Sequence, residues 1–309
     1  MRILVVARCK KGRYAPFIIE QVEAVENRGI ECHFFGVNDK GVIGYLRQIP
    51  KLKKIIRDYK PDVIHSHYGL CGLLANYQRK VPVVTTYHGS DINNPKVLYL
   101  SKLSICLSRF NIFVSQKNID IAKPHKPFAL IPCGINLDDC QIIERSAARE
   151  ALGLDLFKKY VLFAGAFDNP VKNVSLAKAV MKYVPNAELL ELKGYSRPQV
   201  VILMQAVDSL LMTSITEGSP QVIKEALACG CPIVSVDVGD VKERVSEVAG
   251  CFVAKTYEPE ELAGLLRKAL LFEGRTRGFE RVVSDGLDNV NIAERLMNIY
   301  TSAVNNESI

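Results

Sequence analysis

The sequence predicts an α/β protein made of two doubly wound domains. Short apolar segments typical of buried strands alternate with amphipathic segments typical of helices along almost all of the 309 residues. This length suits two domains, and an apolar content of 48% is enough for a sizeable core. The charge is uneven, because residues 1–140 hold 21 Lys and Arg against 11 Asp and Glu, whereas the remainder holds 19 against 22. The N-terminal half therefore carries the basic surface.

The first domain, residues 1–140, is predicted to open on a buried strand at 2–7. A helix follows over 17–27 and ends at Gly29, since glycine commonly terminates helices. Further strands are predicted at 32–37, 62–67, 81–88, 111–115 and 128–134, and further helices at 44–58, 69–78 and 97–108. Because the chain begins directly in a strand and contains no apolar run of about 18–20 residues, we expect neither a signal peptide nor a membrane span.

The second domain, residues 141–290, is predicted to follow a charged helical linker at about 140–158. Its strands are predicted at 160–164, 187–192, 208–213, 232–236 and 250–254, and its helices at 173–183, 197–206, 240–247 and 258–271. Residues 291–309 carry an apolar stripe at helical spacing and form the predicted terminal helix.

The most informative segment runs from Thr216 to Gly230 and joins two predicted strands. A loop carries Glu217, and a helix is predicted to begin with Ser219 as N-cap and Pro220 at its first position. The first-turn amides and the helix dipole would then suit a phosphate. Glu225, two turns later, could accept two hydroxyl hydrogen bonds, as from a ribose. The alternative is an ordinary capped helix that buries one apolar face.

The residues of this segment resemble a known family. The run from Glu217 to Ser235, with the pattern Glu-Gly-Ser-Pro-x4-Glu-Ala-x-Ala-x-Gly-x-Pro-Ile-Val-Ser, is similar to the E-x7-E signature of retaining glycosyltransferases with the GT-B fold. The turn Gly239-Asp240-Val241-Lys242-Glu243 continues the likeness to bacterial enzymes of cell-envelope polysaccharide and lipopolysaccharide synthesis. The resemblance implies two facing Rossmann-like domains with a cleft between them. The first would bind the acceptor, the second the nucleotide-sugar, and the terminal helix would pack back towards the first domain.

The resemblance also implies roles for individual residues. Lys172 matches a lysine that reaches the donor diphosphate, but Ala166 stands where the family usually has an arginine, and Arg197 is a candidate substitute. The proposed catalytic residues are His88, Glu217 and Lys172. The proposed donor-binding residues are Gly12, Lys172, Arg197, Glu217, Gly218, Ser219, Pro220, Gln221 and Glu225.

Besides His88, three polar residues, His65, His67 and Asp91, are assigned to the acceptor or sugar side. His88 ends the fourth predicted strand in a His-Gly-Ser-Asp run, and the resemblance places it beside the transferred sugar. Asp91 would orient either the local backbone or an acceptor hydroxyl. His65 and His67 lie two residues apart on a strand and so point the same way. We expect them to be structural or to line the acceptor site rather than to bind a metal, since no third ligand is visible.

Other features restrict the partners. The predicted helix 44–58 has a cationic face around Lys53, Lys54 and Arg57, which suits an anionic membrane surface or is simply solvated. No nucleic-acid-binding motif accompanies the charge. Nine scattered cysteines are most simply reduced thiols of a cytoplasmic protein, and Cys229 and Cys231 are expected to fill the core.

The favoured function is a retaining glycosyltransferase that uses a nucleotide-sugar, with UDP as the default, and a saccharide or lipid-linked acceptor. The chain lacks an acidic Asp-x-Asp metal motif, so metal-independent catalysis without a cofactor is expected. The alternatives are a non-catalytic nucleotide-sugar-binding subunit, which Ala166 keeps open, and a nucleotide-sugar epimerase. A dehydrogenase is disfavoured because the first strand-to-helix loop lacks Gly-x-Gly-x-x-Gly.

Overall fold

A computed structural model describes residues 1–39 and 41–305 and divides the chain into two compact units. The first unit comprises Met1–Gly134 together with the last helix of the chain, and the second comprises Ile135–Asp288. These boundaries lie a few residues from the divisions predicted from the sequence. None of the helices among the described residues combines the length and the apolar character needed to cross a bilayer.

The first unit is built on a six-stranded parallel sheet with the strand order β2-β1-β3-β4-β5-β6. The strands are β1 (Arg2–Arg8), β2 (Glu31–Val37), β3 (Val63–His67), β4 (Val83–Tyr87), β5 (Phe110–Phe113) and β6 (Phe128–Leu130). The helices are α1 (Pro16–Glu26), α2 (Gly41–Arg47), α3 (Ile49–Tyr59), α4 (Gly69–Asn76), α5 (Pro95–Leu107) and α6 (Gln116–Ala122). The central strands β1 and β3 are buried on both faces, and β1 accordingly reads as a continuous apolar run rather than as an alternating pattern.

The second unit has a five-stranded parallel sheet with the order β11-β10-β9-β7-β8. Its strands are β7 (Lys159–Phe163), β8 (Ala187–Glu191), β9 (Ser209–Met212), β10 (Ile233–Val236) and β11 (Phe252–Ala254). Its helices are α7 (Arg145–Leu152), α8 (Val174–Met181), α9 (Arg197–Ala206), α10 (Gln221–Ala228), α11 (Val241–Val245), α12 (Pro259–Leu270) and α13 (Gly278–Ser284). The E-x7-E helix is α10, which buries Ile223, Ala226 and Leu227 completely in the core of this unit.

The last helix, α14 (Asn289–Asn305), packs against the first unit. Its apolar stripe joins the core beneath α1, where Ile292, Leu296 and Tyr300 are almost fully buried. Polar contacts hold the same helix, because the Arg28 side chain donates to the Val290 carbonyl at 2.9 Å. The stripe read from the sequence is therefore the surface by which α14 attaches.

The predicted helix over 44–58 is corrected to two helices, α2 and α3. Pro50 lies in the first turn of α3 and has no backbone N–H, so the helical ladder of α2 cannot continue through it. Helix α6 was not predicted, because Ser115 was assigned to the preceding strand. In the structure the Ser115 side chain instead accepts a hydrogen bond from the Asn118 backbone and caps α6.

Candidate functional site

Two loops meet at the carboxyl edge of the second unit's sheet, beyond the adjacent strands β7 and β9. The Ile215 backbone N–H donates to the Val171 carbonyl at 2.9 Å. The Thr213 hydroxyl donates to the carbonyls of Lys172 and Asn173 at 2.9 and 3.0 Å. Ligands of open α/β sheets bind at this edge, and these bonds bring the predicted residues Lys172 and Glu217 to the same place.

Lys172 and Glu217 form an ion pair of 2.6 Å between Nζ and Oε1. Each side chain is about one-fifth exposed, so the pair is partly shielded from water but open to a ligand. Gly165 makes room for the lysine, because a Cβ built on Gly165 would lie 2.6 Å from Lys172 Cγ. The family-like lysine therefore passes over a position that cannot carry a side chain.

Arg197 and Glu225 form the second ion pair of this edge, at 2.5 Å between Nη1 and Oε1. Arg197 is the first residue of α9, which is closed by a capping box between Ser196 and Gln199. The carboxylate of Glu225 is only 10% exposed, whereas the guanidinium side chain is 38% exposed. A cation thus lies against the carboxylate assigned to the ribose, and sequence alone offered Arg197 only as a candidate.

The loop before α10 is held in place by the turn that follows β10. Gly239 has φ +57°, and a Cβ added there would lie 2.5 Å from the Gly218 carbonyl oxygen. The Ser219 hydroxyl donates to Asp240 Oδ2 at 2.8 Å, and Arg244 pairs with the same carboxylate oxygen at 3.0 Å. The backbone carrying Gly218 and Ser219 is therefore fixed before any ligand binds.

The predicted capping role of Ser219 is wrong. Pro220 occupies the N-cap position of α10 in an extended conformation, and its side chain makes no capping hydrogen bond. The Ser219 hydroxyl is instead used by Asp240, because the turn after β10 packs directly on this loop. Helix α10 then begins at Gln221, with no acidic side chain in its first turn.

Ala166 lies in the loop that carries Lys172, where its carbonyl accepts a hydrogen bond from the Asn169 backbone. On this loop Asp168 pairs with Lys193 at 2.7 Å, and Glu191 accepts from the Phe167 backbone at 2.6 Å. The loop is thus tied to the end of β8 as well as to β9.

In the first unit, buried His65 and His67 form a row with partly exposed His88 at the carboxyl edge of the sheet. His67 Nδ1 lies 3.0 Å from His88 Nε2, and the rings of His65 and His67 are 4.4 Å apart. His65 is also hydrogen-bonded to Thr86 at 2.8 Å and to Tyr300 of α14 at 2.6 Å. The structure therefore brings together the three histidines chosen from the sequence.

The environment keeps the buried histidines neutral. Burial lowers the pKa of His65 to about 3. Burial, followed by the charges of His65 and His88, lowers the pKa of His67 well below its usual value. The side chain of His67 has no hydrogen-bond partner for Nε2 among the residues that the structure describes. Across the described residues, no cluster of three His, Cys, Asp or Glu side chains has an arrangement that could hold a metal ion.

Asp91 organises the backbone beside these histidines. Its carboxylate accepts hydrogen bonds from the backbone N–H groups of Gly69, His88 and Gly89, each at 3.0 Å. Burial raises the pKa of this carboxyl to about 6, although the three amides oppose the shift. Of the two roles predicted for Asp91, the structure displays the orientation of the local backbone.

Gly12 lies in a tight turn in which Lys10 and Arg13 exchange backbone hydrogen bonds of 2.9 and 3.1 Å. Its φ of +78° explains the need for glycine there. The sequence did not predict the structural roles of several residues. They are Gly165, Gly239, Asp240, Tyr45, Tyr68 and Tyr300. The family-like turn at Gly239 and Asp240 was the one visible signal for any of them.

Two family models match the chain and together cover most of both units. The Glycosyltransferase Family 4 model matches residues 12–139, and the Glycosyl transferases group 1 model matches residues 177–271. The chain belongs to the glycosyltransferases that these two models describe. The second match includes the E-x7-E segment, and the first includes the three histidines His65, His67 and His88.

One curated relative of this family member is TuaC of Bacillus subtilis strain 168, whose name assigns it to teichuronic acid biosynthesis as a glycosyltransferase. The two sequences are 27% identical over 215 residues, or 60% of this chain. The chain spans only 55% of the length of that relative.

Solved structures place the family member among GT-B proteins. Sucrose-phosphate synthase of Thermosynechococcus elongatus has a TM-score of 0.84 at 16% identity and covers 99% of this chain and 100% of its own. Anabaena Alr3699/HepE, solved with UDP and glucose, has a TM-score of 0.76 at 17% identity and covers 97% of this chain and 99% of its own. At these identities the likeness establishes the fold, and the predicted GT-B class is confirmed.

Proposed function

We propose that this family member is a retaining glycosyltransferase that moves a sugar from a UDP-sugar to a saccharide or lipid-linked acceptor. The observation that carries the proposal is the meeting of Lys172–Glu217 and Arg197–Glu225 at one sheet edge, beside the N-terminus of α10. The two carboxylates can accept hydrogen bonds from sugar hydroxyl groups, and a cation beside a helix N-terminus can bind a diphosphate. Together these groups suit a sugar nucleotide.

In this proposal the donor diphosphate is bound by charge and by backbone dipoles. Lys172 and the first turn of α10 stabilise the negative charge that develops on the leaving diphosphate. Gly218, Ser219, Pro220 and Gln221 form the backbone around it, which the turn at Gly239 supports. No metal ion is required in this scheme, because the chain's own cation and amides take that role.

The carboxylates recognise the hydroxyl groups of the donor. Glu225 accepts the ribose hydroxyls while Arg197 balances its charge, and Glu217 accepts hydroxyls of the transferred sugar. His88 contacts the sugar near the reacting carbon. Retention follows from attack on the face that the diphosphate leaves, with a diphosphate oxygen taking the acceptor proton, so no protein nucleophile is needed.

Two comparisons support the proposed donor and the proposed role in glycan synthesis. The Anabaena HepE structure contains UDP and glucose, which favours a UDP-sugar for this chain. The TuaC relative is named for teichuronic acid biosynthesis, which favours a role in cell-envelope glycan synthesis. All nine cysteines are free, as suits the reducing cytoplasm in which we propose the enzyme works.

We further propose that one face of the first unit lies on the inner surface of an anionic membrane. On α3 the side chains of Lys53, Lys54 and Arg57 are exposed. Nearby apolar side chains are exposed as well, because Leu46 of α2 is 53% exposed and Tyr77 after α4 is 57% exposed, with Lys53 Nζ 4.8 Å from the Tyr77 ring centre. Cations mixed with exposed apolar groups suit the headgroup region.

A thermal-shift screen against UDP, GDP, CMP, ADP and their sugar conjugates, without added metal, tests the donor proposal. A ligand at about 100 times its dissociation constant stabilises the folded state by roughly 2.7 kcal/mol, which raises the melting temperature measurably. We expect a shift selective for UDP and UDP-sugars that is unchanged by a metal chelator. A selective response to another base would replace UDP, and no response to any nucleotide would contradict the proposal.

The alternative is a nucleotide-sugar-binding subunit without catalysis, which Ala166 favours because one family cation is missing. The two functions separate in an assay with UDP-[14C]glucose and a panel of saccharide acceptors. Labelled product supports the transferase, whereas donor binding without product or donor hydrolysis supports the binding subunit. An epimerase would instead convert the free donor to a second UDP-sugar.

A further inference from the structure

Three cations of the first unit line one cleft. Arg8 ends β1, and Lys10 and Arg13 follow in the turn after it. All three line a cleft of ≈ 750 Å³ at the carboxyl edge of the sheet. Within residues 1–39 and 41–305, none of these side chains forms an ion pair or a side-chain hydrogen bond. Three unpaired positive charges that face one space are electrostatically suited to an anion.

The turn that carries Lys10 and Arg13 is closed by its own backbone hydrogen bonds. The two residues exchange backbone hydrogen bonds, and Lys11 and Gly12 complete the turn with φ values of 51° and 78°. Tyr14 fixes the far side of the turn, because its ring lies 4.5 Å from that of Phe34. The cationic side chains therefore project from a preorganised backbone, which reduces the entropy lost when they bind a ligand.

Tyr14 also requires the glycine opposite it. A Cβ on Gly36 would lie 2.7 Å from the Tyr14 hydroxyl oxygen, so only glycine lets the tyrosine lie across β2. This packing places Tyr14 in the wall of the cleft, where it joins Tyr45 and Tyr68. Three tyrosines supply flat apolar surfaces with polar edges, which match the faces and hydroxyl groups of a sugar ring.

The one acidic residue of the cleft does not cancel its charge. Asp91 is 4% exposed, and its carboxylate already accepts three backbone hydrogen bonds. The cations Arg8, Lys10 and Arg13 are exposed at the opening. An entering ligand therefore meets positive charge first and the buried carboxylate last.

We propose that this cleft binds the negatively charged group of an anionic saccharide, a phosphate or a carboxylate, and that the acceptor belongs to this class. To call this ligand the acceptor rests on the proposed transferase function. The anion site itself does not depend on that function. Arginine is suited to such a group, because its planar guanidinium can donate two parallel hydrogen bonds to a carboxylate or phosphate.

The test measures binding of glucose, glucuronate and glucose 6-phosphate to the full chain by titration calorimetry. Saturating UDP is present so that the probes do not report on a diphosphate site. We expect at least one anionic probe to bind about tenfold or more tightly than glucose, with an affinity that falls as salt is raised. Preference for glucuronate identifies a carboxylate ligand, and preference for glucose 6-phosphate identifies a phosphate ligand.

A charge-matched pair of variants locates the site. The test variant combines Arg8→Gln, Lys10→Gln and Arg13→Gln, and the control combines Lys102→Gln, Lys182→Gln and Lys268→Gln at exposed positions outside the cleft. The test variant should lose the preference for the anionic probe while its affinity for glucose and for UDP stays within about twofold. The control should keep the preference. Circular dichroism confirms that both variants are folded.

Three results would overturn the proposal. They are equal binding of all three probes, an anion preference that survives in the test variant, and a test variant that loses UDP affinity, since the cations would then serve the donor diphosphate. Failure of the proposed transferase is distinguishable, because it appears as the absence of labelled product in the acceptor assay, with or without nucleotide binding. Anion preference without nucleotide binding would sustain the site and reject the acceptor role.

Discussion

Arg197 Nη1 lies 2.5 Å from Glu225 Oε1, although 28 residues separate the two in the chain. The pair joins the start of α9 to the middle of α10. Because Glu225 is nearly buried, its charge would be costly without this cation. The pair therefore places a charge-balanced carboxylate at the sheet edge, and the proposed ribose contact depends on it.

Glu225→Ala should weaken UDP binding without unfolding the protein. Loss of two hydrogen bonds to a charged acceptor costs roughly 1.5–3 kcal/mol each, so we expect the dissociation constant for UDP to rise by about two to four orders of magnitude. Arg197 is 38% exposed and can be solvated when its partner is gone. Titration calorimetry measures the affinity, and Glu260→Ala, at an exposed carboxylate on α12, is the control. Normal turnover in Glu225→Ala would remove the residue from the site.

Lys172→Met should reduce the catalytic rate more than the stability. The lysine is proposed to stabilise charge that develops on the leaving diphosphate, and removal of one such group lowers kcat by roughly 10²–10³-fold. The matched control is Lys193→Met, because Lys193 also pairs with a carboxylate but is half-exposed. Steady-state kinetics with a UDP-sugar separate the effects. A change confined to KM would mean that Lys172 only binds the donor.

Gly239→Ala should damage the donor site, whereas Gly153→Ala should not. Both glycines have positive φ, at +57° and +67°, so both substitutions cost about 1 kcal/mol or more of conformational free energy. Only at Gly239 would the new Cβ also meet a backbone atom, the Gly218 carbonyl oxygen at 2.5 Å. We expect lower melting temperatures for both variants and loss of UDP binding for Gly239→Ala alone. Equal UDP affinity in the two would show that the turn does not support the loop.

Reversing the charge of the α3 face should release the protein from anionic vesicles. The variant combines Lys53→Glu, Lys54→Glu and Arg57→Glu. Each cation near an anionic surface contributes about 1 kcal/mol, so the partition coefficient should fall at least about 100-fold. Cosedimentation with phosphatidylglycerol-containing vesicles measures it. A control with Lys182→Glu, Lys255→Glu and Lys268→Glu in the second unit should bind like the unmodified protein, and equal binding of both variants would exclude the α3 face.

The buried histidines should make the first unit acid-labile. Burial depresses the pKa of His65 to about 3 and that of His67 well below its usual value, so the unfolded chain binds protons more readily than the folded one. The stability from these groups is complete above about pH 6.5 and is lost as pH falls towards the folded pKa. Asp91 opposes this, because its folded pKa of about 6 is raised and the folded state gains a proton first. Two histidines outweigh one carboxyl, so the net slope should be loss of stability with acid.

Urea unfolding at pH 7 and pH 5 measures that slope. His65→Gln should reduce the loss of unfolding free energy between the two pH values, even if the variant is less stable at both because the bonds to Thr86 and Tyr300 change. His125→Gln is the control, since His125 is exposed. A pH dependence identical in both variants would show that His65 is not the group that resists protonation.

Much of the fold was predictable because the local apolar patterns of the sequence match the strands of the observed sheets. The apolar runs of β1 and β9 identified buried parallel strands, and the run around Glu217 identified both the family and the carboxylates. The errors arose where one residue altered a local pattern. Pro50 divided a continuous amphipathic segment into α2 and α3, and Ser115 capped α6 although it looked like the end of a strand.

The residues that complete the candidate sites were less predictable. Gly165 and Gly239 carry no chemical signal, and their need for glycine appears only when Lys172 and Gly218 pack against them. The capping role predicted for Ser219 failed for the same reason, because Asp240 arrives from another loop and takes its hydroxyl.

By itself the sequence determined the two α/β units, the family, and the chemical types gathered at the edge of each sheet, because strand periodicity and a long ordered motif are local properties of the chain. Only the tertiary structure decided which charges meet. It paired Arg197 with Glu225, joined Tyr300 of the last helix to His65, and left Arg8 facing an open cleft. The physical reason is that parallel strands bring the loops at their carboxyl ends together regardless of separation in sequence, so partners at these edges are set by strand order and packing.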